Sequence, residues 1–73
     1  MRVTFLYQRL RQKRKEKHMS QEMLAEQCDC SVRYLRDLEL GEKRNPSAAL
    51  FIQIMYALDI PAEELLRIEQ NND

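Results

Sequence analysis

The chain has 73 residues, 44% of them apolar and 33% charged, with one glycine, two prolines and two cysteines. From that length one domain-sized core is expected, without a separate ligand-sensing domain. Neither a transmembrane run nor a secretory leader is expected, and a Cys-x-Cys pair cannot staple an extracellular scaffold, so a reducing cytoplasm is expected. The formal net charge of zero conceals an asymmetry: residues 1–20 hold seven basic side chains against Glu16, and residues 21–73 hold five against eleven acidic ones. Such a division suits an oriented encounter with a polyanion; a solvated helix face is the plainer reading.

The chain order reads as helical punctuation, and so few turn residues argue against a β protein. Thr4 is placed to cap a first helix running to about Lys17, with Phe5, Leu6 and Leu10 on its apolar face. His18 falls where that helix must stop, and Met19 precedes Ser20, a good N-cap for a second helix with Met23, Leu24 and Cys28 facing inward. Asp29 suits a left-handed turn residue after Cys28. Ser31 caps a third helix, V-R-Y-L-R-D-L-E-L, which Gly41 closes. Its 3.6-residue period puts Tyr34, Leu35 and Leu38 on a packed face and Arg33, Arg36, Asp37 and Leu40 on an exposed one.

After the polar loop E-K-R-N-P, Pro46 and Ser47 open a fourth helix to Leu58. Leu50, Phe51, Ile54, Met55 and Leu58 form one apolar stripe, and Ala49, Ile52 and Tyr56 a second around Gln53. A helix apolar on two sides touches more than its own core. Asp59-Ile60-Pro61 breaks it, and A-E-E-L-L-R-I-E is expected as a short acidic fifth helix before a frayed tail, 70–73. No strand is expected.

The informative unit is residues 20–41: helix, four-residue turn, helix. The second of the two helices carries Arg33 and Arg36, the side-chain type suited to bidentate contact with guanine. Asp37 is able to accept from cytosine N4, and Val32 to meet a thymine methyl. The alternative is that all four are ordinary surface residues.

The segment R-L-R-Q-K-R-K-E-K-H-M-S-Q-E-M-L-A-E-Q-C-D-C-S-V-R-Y-L-R-D-L-E-L-G-E-K-R-N-P-S resembles the phage repressor/Cro-type helix-turn-helix family, the xenobiotic-response-element (XRE) family. Matches to its pattern are Arg14, Ser20, Gln21, Leu24, Ala25, Ser31, Leu35, Glu39, Gly41, Asn45, Pro46 and Ser47. The later A-L-D-I-P-A-E-E-L-L resembles the family's A-L-G-V-S-x-x-x-L-L, so the resemblance covers about residues 5–66. It implies an all-α, five-helix lambda-repressor-like domain spanning residues 1–73, with a core of about 5–69. Such a domain binds double-stranded DNA as a homodimer on a pseudo-palindromic operator. Val32, Arg33 and Asp37 fall on the family's base-reading positions, beside Arg36. Gln21, Tyr34, Lys43, Arg44 and Asn45 fall on phosphate-contacting positions, and Arg14 and Glu39 match a family ion pair. Departures are His18 and Asp29 in place of glycines, Cys28 and Cys30 in place of aliphatic residues, and Pro61 in place of a capping serine.

A transcriptional regulator, a repressor or autoregulating controller, is therefore the expected function. The alternative is an antitoxin-type module on the same fold that neutralises a partner toxin. One histidine, no Gly-rich loop and no metal-ligand set speak against an enzyme, and no cofactor, metal or membrane partner is expected. Cys28 and Cys30 are expected as buried, reduced thiols. The second stripe of the fourth helix, Ile52 and Tyr56, is expected to meet a second copy together with Leu65 and Ile68 of the last helix.

Overall fold

The computed structural model describes residues 1–43 and 45–70. Among them, strand β1 (Arg2–Phe5) is followed by helices α1 (Tyr7–Glu16), α2 (Gln21–Gln27), α3 (Val32–Leu40) and α4 (Ala48–Leu58). A single 3-10 turn (Ala62–Glu64) leads into strand β2 (Leu66–Glu69). Arg44 and the tail residues 71–73 lie outside the described residues.

Four α-helices thus stand where five were expected, and the chain ends pair instead in a two-stranded antiparallel sheet. Thr4 lies within β1 and does not cap α1; Leu6 stands at that position and makes no side-chain cap bond. The partners are Arg2–Glu69, Val3–Ile68, Thr4–Arg67 and Phe5–Leu66. Both four-residue segments alternate polar and apolar, and Val3, Thr4 and Phe5 are residue types that favour extended backbone. The connection between them is the whole helical body. A count of turn residues is therefore blind to this pairing, which needs no tight hairpin turn.

Elsewhere the caps form where the serines stand. Ser20, Ser31 and Ser47 accept from the backbone N–H groups of Met23, Tyr34 and Leu50 at 3.0–3.1 Å. Each supplies an acceptor for one of the unpaired donors of a helix start, worth about 1 kcal/mol. Helices α1, α2 and α4 each run into a left-handed residue, His18 (φ 58°), Asp29 (φ 55°) and Asp59 (φ 54°), and Gly41 (φ 84°) ends α3. At Gly41 an added Cβ would stand 2.7 Å from the Tyr7 ring. A side chain there would have to displace the Tyr7 ring, and glycine also takes the left-handed φ at no steric cost.

The core lies between the helices. Leu10, Leu24, Cys28, Leu35, Leu38, Ile54, Leu58 and Leu65 are fully enclosed. Burying a leucine or isoleucine side chain stabilises the fold by about 1.5–3 kcal/mol. Phe5 packs edge-on against Phe51, with ring centroids 6.2 Å apart, and seats the sheet on α4. Two expectations about inward faces are corrected. Met23 points outward, and Ala25 takes its place in the core beside Leu24 and Cys28. Leu65 is buried completely and so is not available to a second copy, while Ile68 is exposed but on a strand rather than a helix.

Candidate nucleic-acid interface

The turn between α2 and α3 spans Cys28 to Ser31, and its geometry fixes how α3 is presented. Cys28 N–H bonds back to the Leu24 carbonyl, and Cys30 N–H to the Ala25 carbonyl at 3.0 Å, with Asp29 left-handed between them. Ser31 then starts α3 at once. The second helix is consequently held across the first by a short bonded turn rather than by side-chain contacts alone.

A buried ion pair holds α3 to α1. Arg14 Nε donates to Glu39 Oε2 at 2.7 Å and Arg14 Nη2 to Oε1 at 3.1 Å, a bidentate arrangement between two buried side chains. Arg14 Nη1 also donates to the Met19 carbonyl at 2.8 Å, and Gln21 Nε2 donates to Glu39 Oε1 at 3.1 Å. One cluster therefore joins α1, the link after it, α2 and α3. Charge-assisted bonds of this kind are directional, so the pair chiefly fixes the orientation of α3.

On α3, Arg33 and Arg36 are exposed, and Val32 and Asp37 are half-buried. Val32 rests against the edge of the core. Leu40 is 59% exposed, an apolar residue on the same outward side. Tyr34 is half-buried against the core, in a shallow groove with Ser31, Ser47 and Gln53. Beyond α3 the Asp37 carbonyl accepts from the backbone N–H groups of Glu42 and Lys43, which turns the chain tightly after Gly41. Lys43 and Asn45 are exposed in that loop; Arg44 falls outside the described residues.

Gln21 stands half-buried at the first position of α2, in a cleft that Arg11, Arg14, Arg36 and Glu39 also line. Arg11 is the residue that reading the sequence did not single out, beyond counting it in a basic segment. It lies one helical turn before Arg14, and that three-residue spacing was the available signal. The cleft thus gathers exposed guanidinium groups from α1 and α3 beside Gln21.

The cysteines divide. Cys28 is enclosed, and burial, with Cys30 close by, pushes its thiol up to about 11. Cys30 is only half-buried, against the expectation that both face the core; burial first and the Asp29 charge second raise its pKa. Both are free thiols. Raised values leave little thiolate near neutral pH, the opposite of an activated cysteine.

A family model described as helix-turn-helix matches residues 10–65. The chain belongs to this helix-turn-helix family. Among solved structures, the biofilm master regulator SinR from Bacillus subtilis, in complex with DNA, is 33% identical with a TM-score of 0.75. That match covers 80% of this chain and 92% of that one. The restriction-modification controller protein C.AhdI from Aeromonas hydrophila is 36% identical, with a TM-score of 0.75, over 81% of this chain and 88% of that one. The clp gene regulator ClgR from Corynebacterium glutamicum is 32% identical, with a TM-score of 0.76, over 81% of this chain and 62% of that one. No curated protein sequence matches the chain. Among the described residues, no helix is long and apolar enough to cross a membrane.

Proposed function

We propose that this chain is a cytoplasmic, DNA-binding transcriptional regulator that reads duplex DNA with α3, rather than an enzyme. The observation that carries this is the exposed Arg33–Arg36 face of α3, fixed to α1 by the Arg14–Glu39 pair, in a chain of the helix-turn-helix family. Val32, Arg33, Arg36 and Asp37 are the base-reading set, and Gln21, Tyr34, Lys43, Arg44 and Asn45 the phosphate-contacting set. Arg11 and the other cations of α1 add to the field that draws the duplex in. The likeness to a regulator crystallised with DNA and to a restriction-modification controller supports the same reading.

The active unit in this reading is a homodimer on a pseudo-palindromic operator. Ile52 and Tyr56 on the outer side of α4 are exposed, Tyr56 at 83%, and no other described element covers them. A two-fold axis there would set two copies of α3 about 34 Å apart, one turn of duplex.

Fluorescence anisotropy with duplex DNA at several salt concentrations tests the reading. Log affinity is expected to fall linearly with log salt. Arg33→Ala should cost about 1–3 kcal/mol at one base position and relax preference there. Lys43→Ala should weaken all sequences alike and make the salt slope shallower. Absence of binding to any duplex at low salt would overturn the function. Identical behaviour of the two variants would overturn the division of roles. Ile52→Asp should remove the association made through α4 and leave the chain folded; self-association as strong as that of the unaltered chain places the interface elsewhere.

A further inference from the structure

The sheet formed by the chain ends has an unused edge whose chemistry is self-complementary. The Leu6 N–H donates to the Leu65 carbonyl at 2.8 Å, in the same register as the four strand pairs. In an antiparallel ladder, bonded and non-bonded pairs alternate. Thr4–Arg67 and Arg2–Glu69 are therefore the bonded pairs, and Val3–Ile68 and Phe5–Leu66 the non-bonded ones. The backbone N–H and C=O of Ile68 consequently point away from β1. Among the described residues no backbone or side-chain group bonds to them, and the sheet has only two strands.

The side chains on β2 match that edge. Phe5 and Leu66 lie on the face that seats against the core, and Val3 and Ile68 continue the same face beyond it, 50% and 56% exposed. Arg67 and Glu69 share the opposite face, both exposed, on either side of Ile68. A two-fold axis through the outward-facing backbone of Ile68 sets each Arg67 directly opposite Glu69 of the second copy, twice over. The alternation makes that a non-bonded pair, in which side chains stand closest. Centring on Leu66 instead would run the partner strand into the 3-10 turn at Glu64. Centring on Val3 of β1 would oppose Arg2 with Thr4 and pair no charges.

We infer that a second copy of this chain docks antiparallel along β2, about an axis at Ile68, joining two two-stranded sheets into one of four strands. The contact exchanges both backbone bonds of Ile68, sets the two exposed Ile68 side chains side by side and forms two Arg67–Glu69 ion pairs. A four-residue, two-stranded sheet is marginal alone, and two further strands stabilise it. This surface is distinct from Ile52 and Tyr56 on α4; it extends the reading of a self-associating regulator, and its test separates the two.

The test is sedimentation of two single variants, alone and mixed. Arg67→Glu opposes Glu with Glu across the axis, and Glu69→Arg opposes Arg with Arg. Each variant alone is expected to self-associate roughly tenfold more weakly than the unaltered chain. In a one-to-one mixture every opposed pair is again Glu with Arg, so the mixture should recover the heavier species that neither variant forms. Both positions are exposed, and circular dichroism verifies that each variant folds. Ile68→Pro, which removes the outward N–H without touching the β1 bonds, should weaken association as well. Variants and mixture that all sediment like the unaltered chain would overturn the inference, as would a mixture no heavier than its components. A strand supplied by a different protein predicts that second result. Ile52→Asp bears only on the α4 surface, so either contact can fail while the other stands.

Discussion

The two halves of the Arg14–Glu39 cluster and the two strands of the terminal sheet are both long-range contacts, yet they are made in opposite ways. The helix-turn-helix, residues 20–41, is written in short-range signals: serine caps, a left-handed Asp29, a glycine stop and a 3.6-residue stripe. Its long-range part is one buried, fully bonded ion pair. The terminal sheet has only a short alternation in each strand and no turn signal between them. It exists because the helical body brings residues 2–5 beside 66–69, and because Phe5 and Leu65 have a core to enter. The first region is specified by polar geometry and the second by apolar burial, so the two should fail differently when altered.

The largest effect is expected at Glu39. Glu39→Ala leaves the Arg14 guanidinium buried with the Met19 carbonyl as its remaining partner, at a cost of about 3–5 kcal/mol. Replacing both members, Arg14→Met with Glu39→Leu, should cost much less in urea unfolding while loosening the orientation of α3. If the double replacement unfolds the chain as fully as Glu39→Ala does, the pair is a stabiliser rather than an orienting device.

Leu65→Ala should cost about 2–4 kcal/mol, since the side chain is wholly enclosed and its carbonyl receives Leu6. This loss should be uniform across probes, because the leucine belongs to the common core. A loss confined to strand signals in hydrogen exchange would show that the sheet opens independently of the helices.

Ser20→Ala and Ser31→Ala should each cost about 1 kcal/mol, the value of one capping bond. Guanidinium unfolding resolves such a difference. An unchanged midpoint would mean that burial, not capping, sets the helix starts.

The narrowest effect is alkaline, confined to high pH. The Cys28 pKa is raised above its unfolded value of 9.0, so its contribution is complete below about pH 9 and is lost as pH rises through about 11. Melting temperature should therefore fall more steeply between pH 9 and 11 for the unaltered chain than for Cys28→Ala. Parallel slopes would show that other groups govern the alkaline limit.

Much of the helix-turn-helix is legible because it depends on neighbours in sequence. Ser20, Ser31, Gly41 and the α3 stripe define that unit within a few residues of each other. The Arg14–Glu39 pair was legible only through the family pattern, because nothing local relates positions 14 and 39. The second strand reads from sequence as helix, because A-E-E-L-L-R-I-E has good helix formers, and tertiary pairing overrides that propensity. Met23 differs from expectation for a related reason, since adjacent apolar residues do not reveal which of them faces the neighbouring helix. The division of the cysteines turned on the left-handed Asp29, which rotates Cys30 partly out of the core.

Gly41 constrains how this sequence is able to diverge. His18, Asp29 and Asp59 show that the chain tolerates side chains at left-handed positions, so conformation alone would not reserve position 41 for glycine. The Tyr7 ring does, because it occupies the volume a Cβ would need. Positions 7 and 41 therefore form a mutational lock: neither a single change to a side-chain-bearing residue at 41 nor drift elsewhere along α3 opens it. A library randomised at both positions and selected for folding should return glycine at 41 wherever 7 is aromatic. Asparagine or aspartate should be admitted at 41 only in members that carry a small residue at 7.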